Sequence, residues 1–349
     1  MLGRFAYLNA GSTGPLPRRT AEAIACYAQR DLEQGRSSST YFEEMTNLKE
    51  NLRGELARLL GAAPESVALA RGTTDGCNVV IAGLDLRAGD EVVTTDSEHP
   101  GLFGGLTASP ATIRVAAVRD RPIADALGLI EAEITERTRL IALSHVSWLT
   151  GAVLPVQELA RHGIPLLVDG AQAAGAIPID VEALGCDFYT VSAQKWLLGP
   201  DSTGCLFVRP ERVDELRMAF PSYSSWQRGT YEPQPGAARF DAGWLAPGLL
   251  AALLEAIRFA EEVGEERFGA AAAVTARCLD VLAERVELVT EPGQATLVTW
   301  KADGDSEEAV RRLADAGVVV RDLSGLGWLR ASCGFWTSDE DLERLVRGL

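Results

Sequence analysis

Residues 166–208 read LLVDGAQAAGAIPIDVEALGCDFYTVSAQKWLLGPDSTGCLFV, which places an aspartate and a lysine after two successive apolar segments. The first segment, residues 164–168, ends at Asp169, and the second, residues 187–191, leads into Lys195. The separation of 26 residues (195 − 169 = 26) matches a strand, a helix and a returning strand in a parallel sheet. We therefore expect both side chains at the carboxyl edge of one sheet, where open α/β folds bind their ligands.

A carboxylate that faces a lysine across such an edge suits pyridoxal 5'-phosphate (PLP). The lysine holds the cofactor as a Schiff base, and the aspartate keeps the pyridine nitrogen protonated so that the ring withdraws electrons. Isolated surface residues would carry no such meaning, but small residues surround both side chains here. Asp169 precedes Gly-Ala-Gln-Ala-Ala-Gly, and Gly199-Pro200 follows Lys195 closely. Small residues let the backbone approach a ligand.

The chain resembles the fold-type I PLP enzymes of the class V aminotransferase and cysteine desulfurase superfamily. The segments that carry the resemblance are Arg71-Gly72-Thr73-Thr74-Asp75, Glu98-His99-Pro100-Gly101, Ser144-His145-Val146-Ser147, Asp169-Gly170-Ala171-Gln172 and Ser192-Ala193-Gln194-Lys195. Within the superfamily the nearest resemblance is to the cystine/cysteine C–S lyases. It rests on Thr74-Asp75-Gly76-Cys77, on Asp96-Ser97 before Glu98, and on Trp148 after Leu143-Ser144-His145.

This resemblance implies an aspartate aminotransferase-like α/β fold with a mainly parallel mixed sheet in a large domain, a small α+β domain, and a homodimer. At 349 residues the chain is long enough for both domains. We predict a large PLP-binding domain at residues 16–235 and a small substrate-capping domain made of residues 1–15 and 236–349.

Apolar runs alternate with helical periodicity along the chain, as a doubly wound sheet requires. Strands are predicted at residues 66–70, 91–95, 113–117, 140–144, 165–168, 188–192 and 205–208, and helices at 17–34, 41–60 and 72–81. After a loop at 221–236, helices are predicted at 247–262, 270–285, 306–316 and 338–347, and strands at 295–300, 318–321 and 329–332.

Composition agrees with a cytoplasmic enzyme, and the resemblance implies a small amino-acid substrate. The formal charge of −16 argues against nucleic acid as a partner, because phosphates would repel it. No apolar run approaches the roughly 20 residues of a membrane span, and the N-terminus lacks the apolar core of a signal peptide. Six scattered cysteines and three histidines predict neither a metal site nor a disulfide framework.

The phosphate site is predicted at Thr73 and Thr74, which lie between a strand and the start of a helix. Backbone N–H groups and hydroxyls at a positive helix end can cradle an anion, although a threonine there can also be a simple helix cap. The resemblance makes that anion the PLP phosphate and adds Ser192 and Gln194. Many relatives have histidine where Gln194 stands, so an acid–base role there is lost while hydrogen bonding survives.

The resemblance also assigns the cofactor ring and the substrate. His99 matches the histidine that stacks on the ring, and Gln172 is a candidate partner for the phenolate oxygen. His145 orients Asp169 or satisfies local hydrogen bonds. The further candidates bind substrate: Arg330 matches the small-domain arginine that holds the carboxylate, Arg321 is a second choice, and Trp148 lies near the pocket mouth.

The segment between Arg321 and Arg330 decides the subfamily. Cysteine desulfurases carry a nucleophilic cysteine on a long loop there, whereas this chain has only the eight residues 322–329 and none is cysteine. We therefore predict a PLP-dependent C–S β-lyase that acts on cystine, cysteine or a related S-substituted cysteine and releases pyruvate, ammonia and a sulfur product. Lys195 is the predicted base, with His99 and Asp169 as catalytic partners.

An aminotransferase and an epimerase remain as alternatives, and three other classes of protein are disfavoured. A class V aminotransferase or an amino-acid epimerase would share every cofactor residue, and a cysteine desulfurase is disfavoured by the short segment. A nicotinamide dehydrogenase would need a Gly-x-Gly-x-x-Gly turn after its first strand, which the sequence lacks. A non-catalytic binding protein of this fold would have lost the lysine or the aspartate, and both are present.

Overall fold

The computed structural model describes residues 2–349. The helices are α1 (Arg18–Gln34), α2 (Ser39–Leu60), α3 (Thr73–Gly83), α4 (Pro100–Thr107), α5 (Ala126–Glu131), α6 (Val156–Ala160), α7 (Val181–Leu184), α8 (Pro247–Val263), α9 (Glu266–Ala283), α10 (Ser306–Asp315) and α11 (Asp339–Gly348). The strands are β1 (Ala6–Tyr7), β2 (Val67–Ala70), β3 (Glu91–Thr95), β4 (Thr112–Ala116), β5 (Thr138–Ser144), β6 (Leu166–Asp169), β7 (Phe188–Ser192), β8 (Gly204–Val208), β9 (Leu297–Lys301), β10 (Val318–Val319), β11 (Arg321–Leu323) and β12 (Trp328–Ser332).

The main sheet has seven strands in the order β2-β8-β7-β6-β5-β3-β4. The pairs from β4 through β3, β5 and β6 to β7 are parallel, and β8 runs antiparallel to both of its neighbours. The predicted mixed, mainly parallel sheet is confirmed. Parallel registration brings Asp169 opposite Thr190 of β7, so the predicted strand, helix and returning strand is correct.

Two hydrophobic cores cover the two faces of this sheet, because successive strand residues point to opposite sides. Val93, Ile141 and Val168 pack with α2 and α8 on one face, where Leu52 and Leu253 are fully buried. On the other face the core contains α3 and α4, with the buried residues Val92, Leu140, Leu167, Val80 and Leu102. The central strands are therefore buried on both faces, and their sequences are continuous apolar runs.

The remaining elements form a smaller α+β assembly. Strands β11, β12 and β9 make an antiparallel sheet, and β1 pairs with β10 in a separate parallel pair. Their core joins residues from β1, α9, α10 and α11. The N-terminal strand thus packs with the C-terminal part of the chain, as the predicted small domain requires, although residue 1 of that prediction lies outside the described residues.

The predicted boundary between residues 235 and 236 stays a prediction. The packing of α8 favours a later one, since Leu250, Leu253 and Ile257 share a core with the main sheet. Several elements also differ from the sequence expectation, which gave no range for β1, α5, α6 or α7. The strand expected at 318–321 is divided between β10 and β11, because its first part pairs with β1 and its second with β12.

Helix α4 was absent from the sequence expectation. Its sequence PGLFGGLT has three glycines, which weaken helix propensity. The helix begins because His99 caps it and Pro100 occupies its first position. Within residues 2–349, no helix is long and apolar enough to cross a membrane.

Candidate active site

A cavity of about 370 Å³ opens at the carboxyl edge of the main sheet, beside β12 and the N-terminal segment. It brings together ten of the eleven residues predicted for the site and adds three from the N-terminal segment. Its wall consists of Gly11, Ser12, Thr13, Thr73, Thr74, His99, Trp148, Gln172, Ser192, Gln194, Lys195, Arg321 and Arg330. The eleventh predicted residue, Asp169, lies behind this wall and is 3% exposed.

Asp169 ends β6 and pairs in register with Ser144 of β5. Its Oδ1 accepts a hydrogen bond from the N–H of Ala171 at 2.8 Å. Burial raises the pKa of the Asp169 carboxyl, while the charge of Lys195 and the Ala171 N–H act in the opposite direction. The next residue must be glycine, since a Cβ on Gly170 would lie 2.2 Å from the Tyr189 ring. Asp169 is therefore a buried carboxylate that interacts with the charge of Lys195.

Lys195 follows β7 in a tight turn. Burial lowers the pKa of its ammonium to about 8, with a further lowering from the charge of Arg330 and an opposing effect from Asp169. An amine with this pKa is partly neutral near physiological pH, which a nucleophile or a general base requires.

The first turn of α3 faces the cavity opposite the lysine. The cap of this helix is Gly72, whose φ of 147° favours glycine, so the alternative of a threonine side-chain cap is wrong. The N–H of Thr73 donates to Ser192 Oγ at 2.9 Å, and a Cβ on Gly72 would lie 3.0 Å from that oxygen. The Thr73 and Ser192 hydroxyl oxygens lie 3.2 Å apart, so one hydroxyl can donate to the other and the second can donate to an anion. Gln194 Oε1 is buried without a hydrogen-bond partner.

His99 projects from the start of α4. Its Nδ1 accepts from the N–H of Gly101 at 3.0 Å, which places the proton of the neutral ring on Nε2. Burial and the charges of Lys195, Arg330 and Arg321 lower the pKa of His99 to about 4. The imidazole is therefore uncharged at neutral pH.

Gln172 and His145 are both held by neighbouring groups. Gln172 Oε1 accepts from Trp196 Nε1 at 2.9 Å, and its Nε2 donates to the carbonyl of Gly11 at 2.8 Å. One amide proton of Gln172 remains for a ligand. The His145 ring lies outside the cavity wall with Nδ1 2.9 Å from the Tyr189 hydroxyl, and the His145 backbone N–H donates to the carbonyl of Asp169 at 2.9 Å.

Arg330 and Arg321 supply positive charge. They lie directly opposite each other in the register of β12 and β11. Arg330 Nη1 donates to the Trp148 carbonyl at 2.5 Å and Nη2 to Ser12 Oγ at 3.4 Å, while Nε has no partner. Burial and the charge of Arg321 lower the pKa of Arg330 to about 9. The pair is a receptor for an anion.

Trp148 forms the wall between the histidine and the arginines. Its ring contacts the His99 ring edge-on, with centroids 5.1 Å apart and planes at 83°. Its indole N–H is buried and has no hydrogen-bond partner. A ligand acceptor placed in the cavity would satisfy this donor.

The sequence prediction had not included Ser12 and Thr13 among the site residues. Both residues lie in the segment of residues 7–17, which resembles the family segment that folds over the active-site mouth. The N–H of Gly14 donates to the carbonyl of Gln194 at 2.7 Å, and a Cβ on Gly14 would lie 2.0 Å from the Lys195 carbonyl oxygen. The N-terminal segment thus closes one side of the cavity.

The family model for aminotransferase class-V matches residues 6–345. The chain belongs to the class-V aminotransferase family. It is 29% identical over 398 residues to an isopenicillin N epimerase of Streptomyces clavuligerus, covering 98% of this chain and 93% of the relative. It is 32% identical over 375 residues to a probable cysteine desulfurase of Pseudomonas aeruginosa, covering 98% and 92%.

Solved structures of the cystine C–S lyase C-DES share the fold. A complex of that enzyme with its reaction product cysteine persulfide gives a TM-score of 0.93 at 28% identity and covers 99% of this chain and 97% of C-DES. A C-DES variant with glycine covalently linked to the PLP cofactor gives the same TM-score at 29% identity, covering 99% and 96%. The predicted fold-type I, aspartate aminotransferase-like architecture and the predicted resemblance to cystine C–S lyases are confirmed.

Proposed function

We propose that this chain holds PLP in the cavity and is a C–S β-lyase. Its substrate is cystine, cysteine or a related S-substituted cysteine, and its products are pyruvate, ammonia and a sulfur compound. The observation that carries the proposal is the arrangement of Asp169 behind Lys195, at one sheet edge, with two arginines free of carboxylates beside it. Full-length similarity to a cystine C–S lyase supports the same reaction class.

The residues present fit PLP. Thr73, Thr74 and Ser192 offer N–H groups and hydroxyls for the phosphate at the N-terminus of α3, and the side-chain NH2 of Gln194 can donate to the same anion. Asp169 would hold the pyridine nitrogen, the neutral His99 ring would stack on the cofactor, and the free Gln172 proton would reach its phenolate oxygen.

Arg330 would bind the substrate carboxylate. Arg330 is 1% exposed, and in the described part of the chain its guanidinium hydrogen-bonds only to neutral groups, the Trp148 carbonyl and the Ser12 hydroxyl. A buried cation without a counter-ion costs folding free energy, and a substrate carboxylate bound bidentately offsets it. Trp148 completes the carboxylate side with its unpartnered N–H.

Bound PLP supplies an electron sink for the charge that develops when the substrate loses its α-proton. The Lys195 amine takes that proton, and its pKa of about 8 suits a general base. The Cβ–S bond then breaks with its electron pair on sulfur. The remaining 2-aminoacrylate takes up water and yields pyruvate and ammonia.

A desulfurase mechanism is disfavoured because the cavity wall contains no cysteine. Five of the six cysteines are buried, and the exposed one, Cys26, lies on α1 outside the wall. Cys333, which follows β12, is fully buried. Burial raises the pKa of the thiols of Cys77 and Cys205, which disfavours the reactive thiolate.

Epimerisation is the second candidate function. The full-length similarity to isopenicillin N epimerase favours it, because an epimerase needs the same cofactor site and the same α-proton abstraction. The difference lies only in where the proton returns. A class V aminotransferase shares these residues as well.

We also propose a homodimer, with a cytoplasmic location as a further prediction. The exposed aromatic side chains Phe42, Tyr223 and Trp244 form one cluster, with ring centroids 6.5 Å and 6.3 Å apart. Such a cluster favours burial against another protein surface. Sedimentation of the PLP-loaded protein tests this prediction directly.

Product analysis tests the lyase proposal. PLP-loaded protein is incubated with L-cystine and with L-cysteine, and Lys195→Ala serves as the matched control. Pyruvate with an equal amount of ammonia supports β-elimination, whereas alanine would mean desulfuration. Deuterium uptake at Cα in D₂O with racemisation, and without pyruvate, would replace the lyase by an epimerase. Turnover by Lys195→Ala would contradict the role of the lysine.

A further inference from the structure

Glu98 connects two loops at the edge of the sheet that carries the cofactor site. Its Oε1 accepts from Thr95 Oγ1 at 2.6 Å, and its Oε2 accepts from the backbone N–H and the hydroxyl of Ser144 at 2.9 and 2.6 Å. Ser144 ends β5 and is the register partner of Asp169. Glu98 is therefore bound to the residue that lies beside the buried aspartate.

The same side chain fixes the turn that presents His99. Thr95 is the last residue of β3, Glu98 follows three positions later, and His99 comes next as the cap of α4. With three hydrogen bonds to the ends of β3 and β5, the Glu98 carboxylate prevents this turn from moving relative to the sheet. The position of the imidazole depends on that anchor.

The Glu98 carboxyl is buried beside other ionisable groups, which affect its pKa. Burial and the negative charge of Asp169 after β6 raise the pKa of Glu98 to about 7, while hydrogen bonds from Ser144 and Thr95 lower it. Cys77 faces both carboxylates from α3, and burial together with their charges keeps its thiol protonated. Lys195 interacts electrostatically with Asp169, which belongs to the same group of ionisable side chains.

We propose that Glu98 is a positioning residue of the cofactor site, which holds the His99 turn against the end of β5 and places a second, titratable carboxylate beside Asp169. This inference rests on the PLP site of the proposed function and is independent of the lyase reaction. Consequently, the pH titration of PLP bound to Lys195 should depend on whether Glu98 is charged.

Glu98→Gln separates charge from shape. A glutamine at this position can still accept from the Ser144 N–H and donate to the Thr95 hydroxyl, so the turn stays in place. We expect PLP affinity within about twofold of wild type. The pH titration of the visible absorbance band should differ from wild type, with its midpoint lower by about 0.5 to 1 unit, because the carboxylate bonded to the register partner of Asp169 has been neutralised.

Glu98→Ala removes the anchor as well as the charge. We expect the PLP dissociation constant to rise by about tenfold, since three hydrogen bonds to the turn are lost. Glu91→Gln is the matched control: Glu91 begins the same strand β3, is 2% exposed, and bonds Thr135 and Arg137 far from the cavity. It should change thermal stability and leave the absorbance titration unchanged.

The results separate the two proposals. A Glu98→Gln titration that superimposes on wild type would overturn the inference, as would the same shift in Glu91→Gln. A wild-type protein without a visible PLP band would refute the cofactor site itself and the inference with it. The expected shift in a protein that produces no pyruvate would support the role of Glu98 and reject only the lyase reaction. If Glu98→Ala fails to fold, Glu98→Gln decides alone.

Discussion

Replacement of Arg330 by methionine should increase stability and weaken substrate binding. The Arg330 guanidinium is 1% exposed, hydrogen-bonds only to the Trp148 carbonyl and the Ser12 hydroxyl, and leaves Nε unpartnered. Burial and the charge of Arg321 lower the pKa of Arg330 to about 9, well below the ordinary value for arginine. At 1.36 kcal/mol per unit this corresponds to an unfavourable free energy of at most about 5 kcal/mol.

The sign of this pH dependence follows from proton linkage. A cation with a lowered pKa destabilises the folded state at every pH below the folded value. The destabilisation declines only as the pH rises above about 9. At pH 7 the full effect is present, and methionine fills a similar volume without charge. We expect Arg330→Met to raise the free energy of unfolding by about 1–4 kcal/mol.

In the proposed site, the same substitution also removes the two charge-assisted hydrogen bonds that Arg330 would make to the substrate carboxylate. At about 1.5–3 kcal/mol each, their loss should lower kcat/KM by roughly 10²- to 10⁴-fold. Urea unfolding gives the stability change, and pyruvate release from L-cystine gives the kinetic change. Absorbance changes of the bound cofactor on adding a non-reacting amino acid measure binding without turnover.

Arg267→Met is the matched control. Arg267 is also buried, donates only to the carbonyls of Ala260 and Gly264, and lies outside the cavity wall. Its removal should leave kcat/KM within about twofold. An Arg330→Met protein that is less stable than wild type by 2 kcal/mol or more, with kcat/KM unchanged, would refute the reasoning.

Three further predictions concern the cavity and its surroundings. Gly14→Ala places a Cβ 2.0 Å from the carbonyl oxygen of the active-site lysine and should lower kcat/KM by about tenfold or more, whereas Gly54→Ala, with open space around it, should not. Asp241→Ala removes the buried 2.9 Å ion pair with Arg53 and leaves that arginine only the exposed Glu50, at 3.3 Å, as a carboxylate partner. This should cost about 3–5 kcal/mol in urea unfolding; a loss below 1 kcal/mol would contradict it. Native alkylation should modify Cys26, the exposed cysteine, and Cys26→Ser should retain activity, so alkylation that inactivates this variant would point to a cavity thiol.

The sequence alone determined the sheet and the position of its functional edge. β3 and β7 lie at the predicted bounds, residues 91–95 and 188–192, and the other main-sheet strands differ by one or two residues. Buried parallel strands are continuous apolar runs, so local composition encodes them. Because the carboxyl ends of parallel strands meet at one edge, the spacing of Asp169 and Lys195 also predicted their proximity, which the structure reproduces.

Tertiary structure alone decided which polar groups remain unpartnered and which carboxylates act together. Nothing near Arg330 in sequence announces that its guanidinium lacks a counter-ion, since its partners come from Trp148 and from Ser12, 318 positions away. Glu98 likewise becomes significant only when strand pairing brings Ser144 beside Asp169. The physical reason is that hydrophobic periodicity is a local property of the chain. Burial, pKa and hydrogen-bond satisfaction depend on which distant segments the fold brings together.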